Sequence, residues 1–142
     1  MDVVFLDANV LFSAAYKPGA GLRRFWELAD VELVTSAYAS EEARSNLRDA
    51  DQRHRLRFLL ALVRVVEDFA DLPLPPEVEL PAKDRPILVA AIRAGASHLV
   101  TGDVMHFGRY FGTRIAGVLV QKPADVLAGR ALLPGAGESD AG

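Results

Sequence analysis

Cysteine is absent from this 142-residue chain. That excludes disulfides and any zinc or iron–sulfur site built on thiolates, and it suits a reducing, cytoplasmic setting. Long apolar runs are missing too. None approaches the ~18 residues of a membrane span, and the longest are cut by Asp7, Asp71 or Asp103. Met1-Asp2-Val3-Val4 carries no basic segment, so the start of the chain reads as a poor secretory signal. There is no Gly-x-Gly-x-x-Gly and no Walker loop, which argues against nucleotide-cofactor chemistry. A Ser/His/Asp or Cys nucleophile pattern and internal repeats are likewise missing. Nor is there an excess of positive charge: 16 Lys and Arg face 19 Asp and Glu, for a net −3. Setting aside the four acids singled out below leaves 15 acids against 16 bases. The charge balance therefore neither supports nor excludes a phosphate-containing substrate.

What the chain does have is apolar content, 51% of residues, enough for the core of one domain of ordinary size. Val3 to Leu6 is a β-branched apolar run that reads as a strand buried on both faces. Leu22, Phe25, Trp26 and Ala29 recur at helical spacing. Val31 to Thr35 reads as a second strand, with Ser36 placed to cap a helix from Ala37 to about Arg48. A further helix is expected over Arg53 to Leu62 and a short strand over Val63 to Val66. Leu72-Pro73-Leu74-Pro75-Pro76 must be a surface crossover, because proline lacks the amide donor. A helix from Arg85 to Ala94 stops at Gly95. His98 to Thr101 and Ile115 to Val120 are the fourth and fifth strands. Strands alternating with helices predict an α/β fold with a parallel sheet covered on both faces. Residues 1 to 130 read as a single domain and residues 131 to 142 as a tail, disordered from Pro134.

Four acids sit where these elements begin or end. Asp7 follows the first strand, Glu42 lies within the helix after Ser36, Asp84 precedes Pro86, and Asp103 closes Thr101-Gly102-Asp103. Each has an ordinary explanation. Asp7 suits an Asx turn or helix cap, Asp84 a cap, Asp103 a strand-to-loop turn, and Glu42 a solvated helix face. Glu41 and Glu42 point about 100° apart on a helix, so at most one faces a given site. Asn9 reads as a turn residue, or as an amide that holds the Asp7 carboxylate in orientation. Thr101 offers a hydroxyl beside Asp103. Together the acids say more, because open α/β sheets bind ligands outside the carboxyl ends of their strands. If the four converge, they form an oxygen cage suited to Mg²⁺ or Mn²⁺.

The ordered set is Leu6-Asp7-Ala8-Asn9-Val10-Leu11, Ser36 through Glu42 to Leu47, Ala82-Lys83-Asp84-Arg85-Pro86-Ile87-Leu88, and Leu99-Val100-Thr101-Gly102-Asp103. In this order it resembles the PIN domain family, the metal-dependent ribonucleases that include the VapC-type toxins of toxin–antitoxin pairs. The resemblance covers about residues 2 to 128. It implies a three-layer α/β/α fold on a parallel five-stranded sheet of order 3-2-1-4-5. It implies that Asp7, Glu42, Asp84 and Asp103 line one catalytic, metal-binding pocket that cuts RNA hydrolytically with Mg²⁺ or Mn²⁺. It favours Glu42 over Glu41, since the family's helical Glu precedes a small residue and an Arg-containing turn, as in Glu42-Ala43-Arg44. It also implies a small antitoxin partner and a homodimer, for which Phe25, Trp26 and Phe58-Leu59-Leu60 supply apolar surface. His106-Phe107 looks like a branch of the family, with no role for His106 assigned.

Substrate grip is expected from Lys17, Lys83, Arg85 and Arg109 at the pocket mouth. Arg53-His54-Arg55-Leu56-Arg57, the densest basic cluster, reads first as a solvated helix face. A phosphatase of the aspartyl type wants a second Asp where Asn9 stands. A receiver domain wants a phospho-acceptor after a middle strand, where Val63 to Val66 leads only to Glu67-Asp68. The remaining alternative is a catalytically silent PIN-like scaffold for RNA or protein, against which the presence of all four acids argues.

Overall fold

The structure, a computed structural model, describes residues 1–67 and 71–136. It is a six-stranded sheet of order β3-β2-β1-β4-β6-β5 with flanking helices. The strands are β1 (Asp2–Leu6), β2 (Val31–Ser36), β3 (Arg64–Val66), β4 (His98–Val100), β5 (Arg114–Ile115) and β6 (Val118–Gln121). The helices are α1 (Ala8–Tyr16), α2 (Ala37–Asn46), α3 (Ala50–Leu60), α4 (Arg85–Arg93), α5 (Val104–Phe107) and α6 (Pro123–Leu127). All pairings from β3 to β6 are parallel, and only β5 runs antiparallel, against β6.

The apolar run of β1 sits at the centre. Val4, Phe5 and Leu6 are fully buried, as a strand covered on both faces requires. The chain goes from β1 to β2 and β3 on one side, then returns to β4 on the other. Strand order therefore reverses between β1 and β4, which opens a crevice beyond their carboxyl ends. Those ends are pinned together. Asp7 N donates to Val100 O at 3.0 Å, and Thr35 Oγ1 donates to Leu6 O at 2.8 Å.

Several expectations hold in detail. Ser36 caps α2 by accepting from Ala39 N, and Gly95 takes a φ of 72° just past α4. Residues 72–76 form neither helix nor strand. Others need correction. The sheet has six strands, not five. Ala116 (φ 49°) and Gly117 (φ 87°) make a two-residue turn that splits the expected fifth strand into the β5–β6 hairpin. The region of Leu22 to Ala29 is a 3₁₀ helix over Gly21–Glu27, not an α-helix. Its Trp26 indole donates to Leu59 O at 3.0 Å. Helix α3 starts at Ala50, three residues early, because Asp49 and Gln52 form a capping box. Helix α1 had been read only as a turn or cap. Residues 131–133, placed in the tail by sequence, run beside 27–29, with Ala29 N donating to Ala131 O and Leu133 N to Glu27 O. Of the expected tail, residues 137–142 lie outside the described residues, as does Asp68.

The hairpin makes a prediction. A two-residue turn with positive φ at both positions favours Asn-Gly, and Ala pays a steric cost in the left-handed region. Ala116→Asn should stabilise the protein by about 0.5–1 kcal/mol, read as a higher denaturant midpoint with an unchanged m-value.

Candidate active site

Each acid is delivered by the end of an element. Asp7 leaves β1 at the switch point and is 5% exposed. Its Oδ1 accepts from Ala8 N at 2.6 Å, which caps α1. Its Oδ2 accepts from Thr101 Oγ1 at 2.8 Å and from Asn9 Nδ2 at 3.2 Å. Thr101, fully buried just beyond β4, also accepts from Asp103 N at 3.1 Å and from Asn9 Nδ2 at 3.2 Å. Asn9 closes the loop by accepting from Gly102 N at 2.8 Å. A Cβ on Gly102 would meet Asn9 Oδ1 at 3.4 Å, so the backbone passes the amide at contact distance. Asn9 and Thr101 thus orient the Asp7 carboxylate and tie it to the segment carrying Asp103.

Asp84 sits at the start of α4 but does not cap it. The residue is 8% exposed, and its Oδ2 is buried without a hydrogen-bond partner among the described residues. A carboxylate that capped the helix would have spent that oxygen on a backbone amide. Tyr38 of α2 donates its hydroxyl to Lys83 O at 2.8 Å, fastening the Asp84 segment to the helix that carries Glu42. Asp103 caps the short α5 by accepting from His106 N at 3.0 Å. His106 Nδ1 is 2.9 Å from Asp103 Oδ2, with hydrogen-bond geometry. It is also 3.0 Å from Asp84 Oδ2, an ion-pair approach without that geometry.

One cleft of about 380 Å³ is lined by Asp7, Glu42, Asp84 and Asp103, together with Ala8, Asn9, Phe12, Asn46 and Lys83. Glu42 is half-buried and faces it. Glu41 points elsewhere and holds Arg44 through two hydrogen bonds of 2.8 and 2.6 Å. The two neighbours therefore divide as the helical angle between them requires.

The expected cationic rim is mostly elsewhere. Only Lys83 lines the cleft. Lys17 follows the far end of α1 from Asp7. Arg85 pairs with Asp71 at 3.3 Å and lines a different depression. Arg109 pairs with Glu79 at 3.2 Å and lies over the Tyr110 ring. Besides Ala8, next to Asp7, two further lining residues are not evident from the sequence. Asn46 lies one turn after Glu42 on α2, and Phe12 one turn after Ala8 on α1, spacings that share a helix face.

Burial, and to a smaller extent the neighbouring carboxylates, raises the pKa of two of the acids. Burial pushes Asp7 up to about 6, against hydrogen bonds from Thr101 and Ala8 that favour its charged form, with Glu42 and Asp84 pushing the same way as burial. Asp84 is also raised, first by burial. His106 and Lys83 oppose that rise, and Asp103 adds to it. The donors suit a hard divalent ion: clustered carboxylate oxygens, one of them buried and unpartnered.

A doubly wound sheet with a carboxylate cleft at its switch point defines the class: an α/β domain of the kind whose crevice opens beyond the carboxyl ends of its strands. The chain belongs to the PIN domain family, whose family profile matches residues 3–105. No curated protein matches it at a significant level. Among solved structures it is similar to VapBC2 from Rickettsia felis bound to a DNA fragment from its promoter. That match has a TM-score of 0.56 and 17% identity, and covers 84% of this chain and 98% of that one. It is similar to Mycobacterium tuberculosis VapC20, described as a Sarcin-Ricin loop cleaving toxin, with a TM-score of 0.55 and 16% identity over 79% of this chain and 98% of that one. It is similar to VapBC-1 from nontypeable Haemophilus influenzae, with a TM-score of 0.53 and 19% identity over 86% and 98%. These likenesses show a shared fold.

The raised Asp7 sets a pH dependence. A carboxyl raised in the folded state holds its proton more tightly there than when unfolded. Its favourable contribution is complete below the unfolded value of 3.8 and is lost as pH rises through about 6. Above that, the charged form costs roughly 3 kcal/mol at 1.36 kcal/mol per unit. Asp7→Asn removes this cost but sets an amide against the Asn9 donor, so the net gain is smaller, about 1 kcal/mol. With EDTA present, the variant's stability advantage over the parent should grow between pH 4 and 6 and then level off, as read by urea denaturation. A constant difference across that range would show that Asp7 is not the titrating group.

Proposed function

We propose that this protein is a Mg²⁺- or Mn²⁺-dependent endoribonuclease that hydrolyses RNA phosphodiesters in the cytoplasm, as the toxin of a toxin–antitoxin pair. The observation that carries the reading is the cleft itself. Four acidic side chains from four separate segments line it, and a buried Asp84 oxygen is left without a partner. Asp7, Glu42, Asp84 and Asp103 are the residues that would hold the ion. When bound, it supplies Lewis-acid charge for a phosphate and a water of lowered pKa. The membership in the PIN domain family and the shared fold with VapC-containing structures support the toxin reading.

The chain's own contribution is geometric and electrostatic. Asn9 and Thr101 lock Asp7 in one orientation, so the carboxylate loses little freedom on loading. Glu42 lines the cleft, where its carboxylate would accept a proton or a hydrogen bond from a water. Lys83, which lines the cleft, would be the cation to meet a phosphate oxygen. Asn46 offers an amide on the same wall, its Nδ2 donating to Glu42 O at 3.0 Å in the free protein. No helix among the described residues is long and apolar enough to cross a membrane.

The antitoxin in this proposal is a small protein whose basic tail reaches the cleft. An Arg or Lys set among the four carboxylates would replace the ion's charge and form strong charge-assisted hydrogen bonds. We further propose a homodimer. Phe25 and Leu59 are buried in the core and cannot supply the interface, whereas Phe58, in the last turn of α3, is 61% exposed and Leu62, just past its end, is 65% exposed.

Three outcomes are expected. Incubated with a mixed RNA pool, the protein should cleave with Mg²⁺ or Mn²⁺ and be silent with EDTA. Asp7→Asn or Asp103→Asn should lower cleavage by more than the roughly 10- to 100-fold typical of lost outer partners of a metal, with the circular dichroism spectrum unchanged. Wild-type rates in Asp7→Asn would overturn the assignment. Light scattering at micromolar concentrations should give twice the chain mass, reduced to a single chain by Phe58→Asp. A monomeric parent would remove the dimer.

A further inference from the structure

Beside the cleft, the imidazole of His106 touches two of the four acids, Asp84 and Asp103. We infer that His106 supplies Nδ1 as a nitrogen ligand to a divalent ion shared with Asp84 and Asp103, biasing this site toward transition-metal ions such as Mn²⁺ over Mg²⁺. The inference rests on the metal-dependent reading above and adds to it a ligand of a different chemical kind.

Three observations converge. Asp84, Asp103 and His106 each present a donor atom, and these atoms all lie within 4.8 Å of one another. Nδ1 is 2.9 Å from Asp103 Oδ2 and 3.0 Å from Asp84 Oδ2. Two ligands at right angles and about 2.1 Å from one ion lie about 3.0 Å apart, so the nitrogen and each oxygen already have the spacing of neighbours in an octahedral shell. The second, independent observation is Asp84 Oδ2: buried on a residue 8% exposed, facing His106, and without a hydrogen bond. Asp103 meanwhile holds the imidazole in place twice. It accepts from the backbone amide of His106, and it contacts the ring. Asp103, the N-cap of α5, and His106 stand three positions apart, which sets carboxylate and imidazole on one side of the turn. The ring is half-buried, so little conformational freedom is left to lose.

The chemistry decides the selectivity. Carboxylates alone suit Mg²⁺ and Mn²⁺ alike. Imidazole nitrogen strengthens binding of first-row transition ions and does little for Mg²⁺, which prefers oxygen and keeps its waters. A nitrogen ligand binds as the neutral ring with its proton on Nε2.

The test reads the metal directly. Mn²⁺ is loaded into the protein labelled with ¹⁵N-histidine and examined by pulsed electron paramagnetic resonance. A directly bonded nitrogen coupling should appear in the parent and vanish in His106→Gln. In parallel, Mn²⁺ and Mg²⁺ affinities are measured by calorimetry on the apoprotein. His106→Gln should weaken Mn²⁺ about 10- to 100-fold and Mg²⁺ less than about 3-fold. If His106 only steadies Asp103, the two ions weaken together and no nitrogen coupling is seen in the parent, which overturns the inference. Failure of the ribonuclease reading looks different: nitrogen-coupled Mn²⁺ would bind, but the loaded protein would leave RNA intact.

Discussion

Asp7 is a carboxylate that the fold removes from water and then surrounds with donors from Ala8, Asn9 and Thr101. Desolvating such a group costs free energy, and the donors offset only part of it, so burial leaves its pKa raised. The rest of the site depends on that arrangement. Thr101 reaches Asp7 only because β4 lies beside β1 in parallel register, with Leu6 opposite Val100. The same hydroxyl accepts from Asp103 N, so the second carboxylate takes its position from the first. A single side-chain network therefore spans the point where the strand order reverses and fixes two acids at once. Placement of the pocket is a consequence of topology, and its occupants are a consequence of this network.

Electrostatics explain why the cleft is unbalanced as it stands. Among its lining residues, four acids face one cation, Lys83. Several of the chain's basic residues are committed elsewhere. Arg85 is held by Asp71, Arg109 by Glu79, Arg64 by Glu32 and Arg44 by Glu41. All four are exposed or partly exposed surface pairs that contribute little to stability. Their effect is to keep neutralising charge away from the carboxylates. An unpaired carboxylate set in a partly desolvated cleft attracts whatever divalent ion or basic side chain can enter. In the proposed function, metal loading and blocking by a partner's cation would thus draw on the same excess of negative charge.

The sequence carried the strand ends and their acids because both are local signals. A β-branched run ending in Asp, and a Thr-Gly-Asp closing another, mark the edge of a parallel sheet before any coordinates exist. Ser36 is legible as a cap for the same reason. The β5–β6 hairpin was hidden because Ala116 takes a positive φ without the Asn or Gly that usually announces one. Helix α1 was hidden because its apolar face, Val10, Leu11, Ala14 and Ala15, follows an Asp and Asn that suit a turn equally well. The basic rim failed for another reason. Arg85 and Arg109 have long side chains whose partners lie elsewhere in the fold, Glu79 being 30 residues from Arg109, and Lys17 follows the end of α1 away from Asp7. Proximity in sequence to a site residue therefore said nothing about where their charge would go.

The ordinary and the functional readings of the acids turn out to be compatible for two residues and exclusive for a third. Asp7 and Asp103 each cap a helix with one oxygen and present the other to Thr101 or His106. Capping is thus part of how they are aimed, since a carboxylate fixed through one oxygen has few orientations left for the second. Asp84 has the sequence context of a cap, directly before Arg85-Pro86, yet it makes no capping bond. Proline in the first turn removes one amide that would need a partner, which lowers the cost of withholding the side chain from the helix. Burying an oxygen without a partner is unfavourable for the isolated protein. Stability alone would not retain it, and the group it faces, the Asp103–His106 pair, is where a ligand would satisfy it.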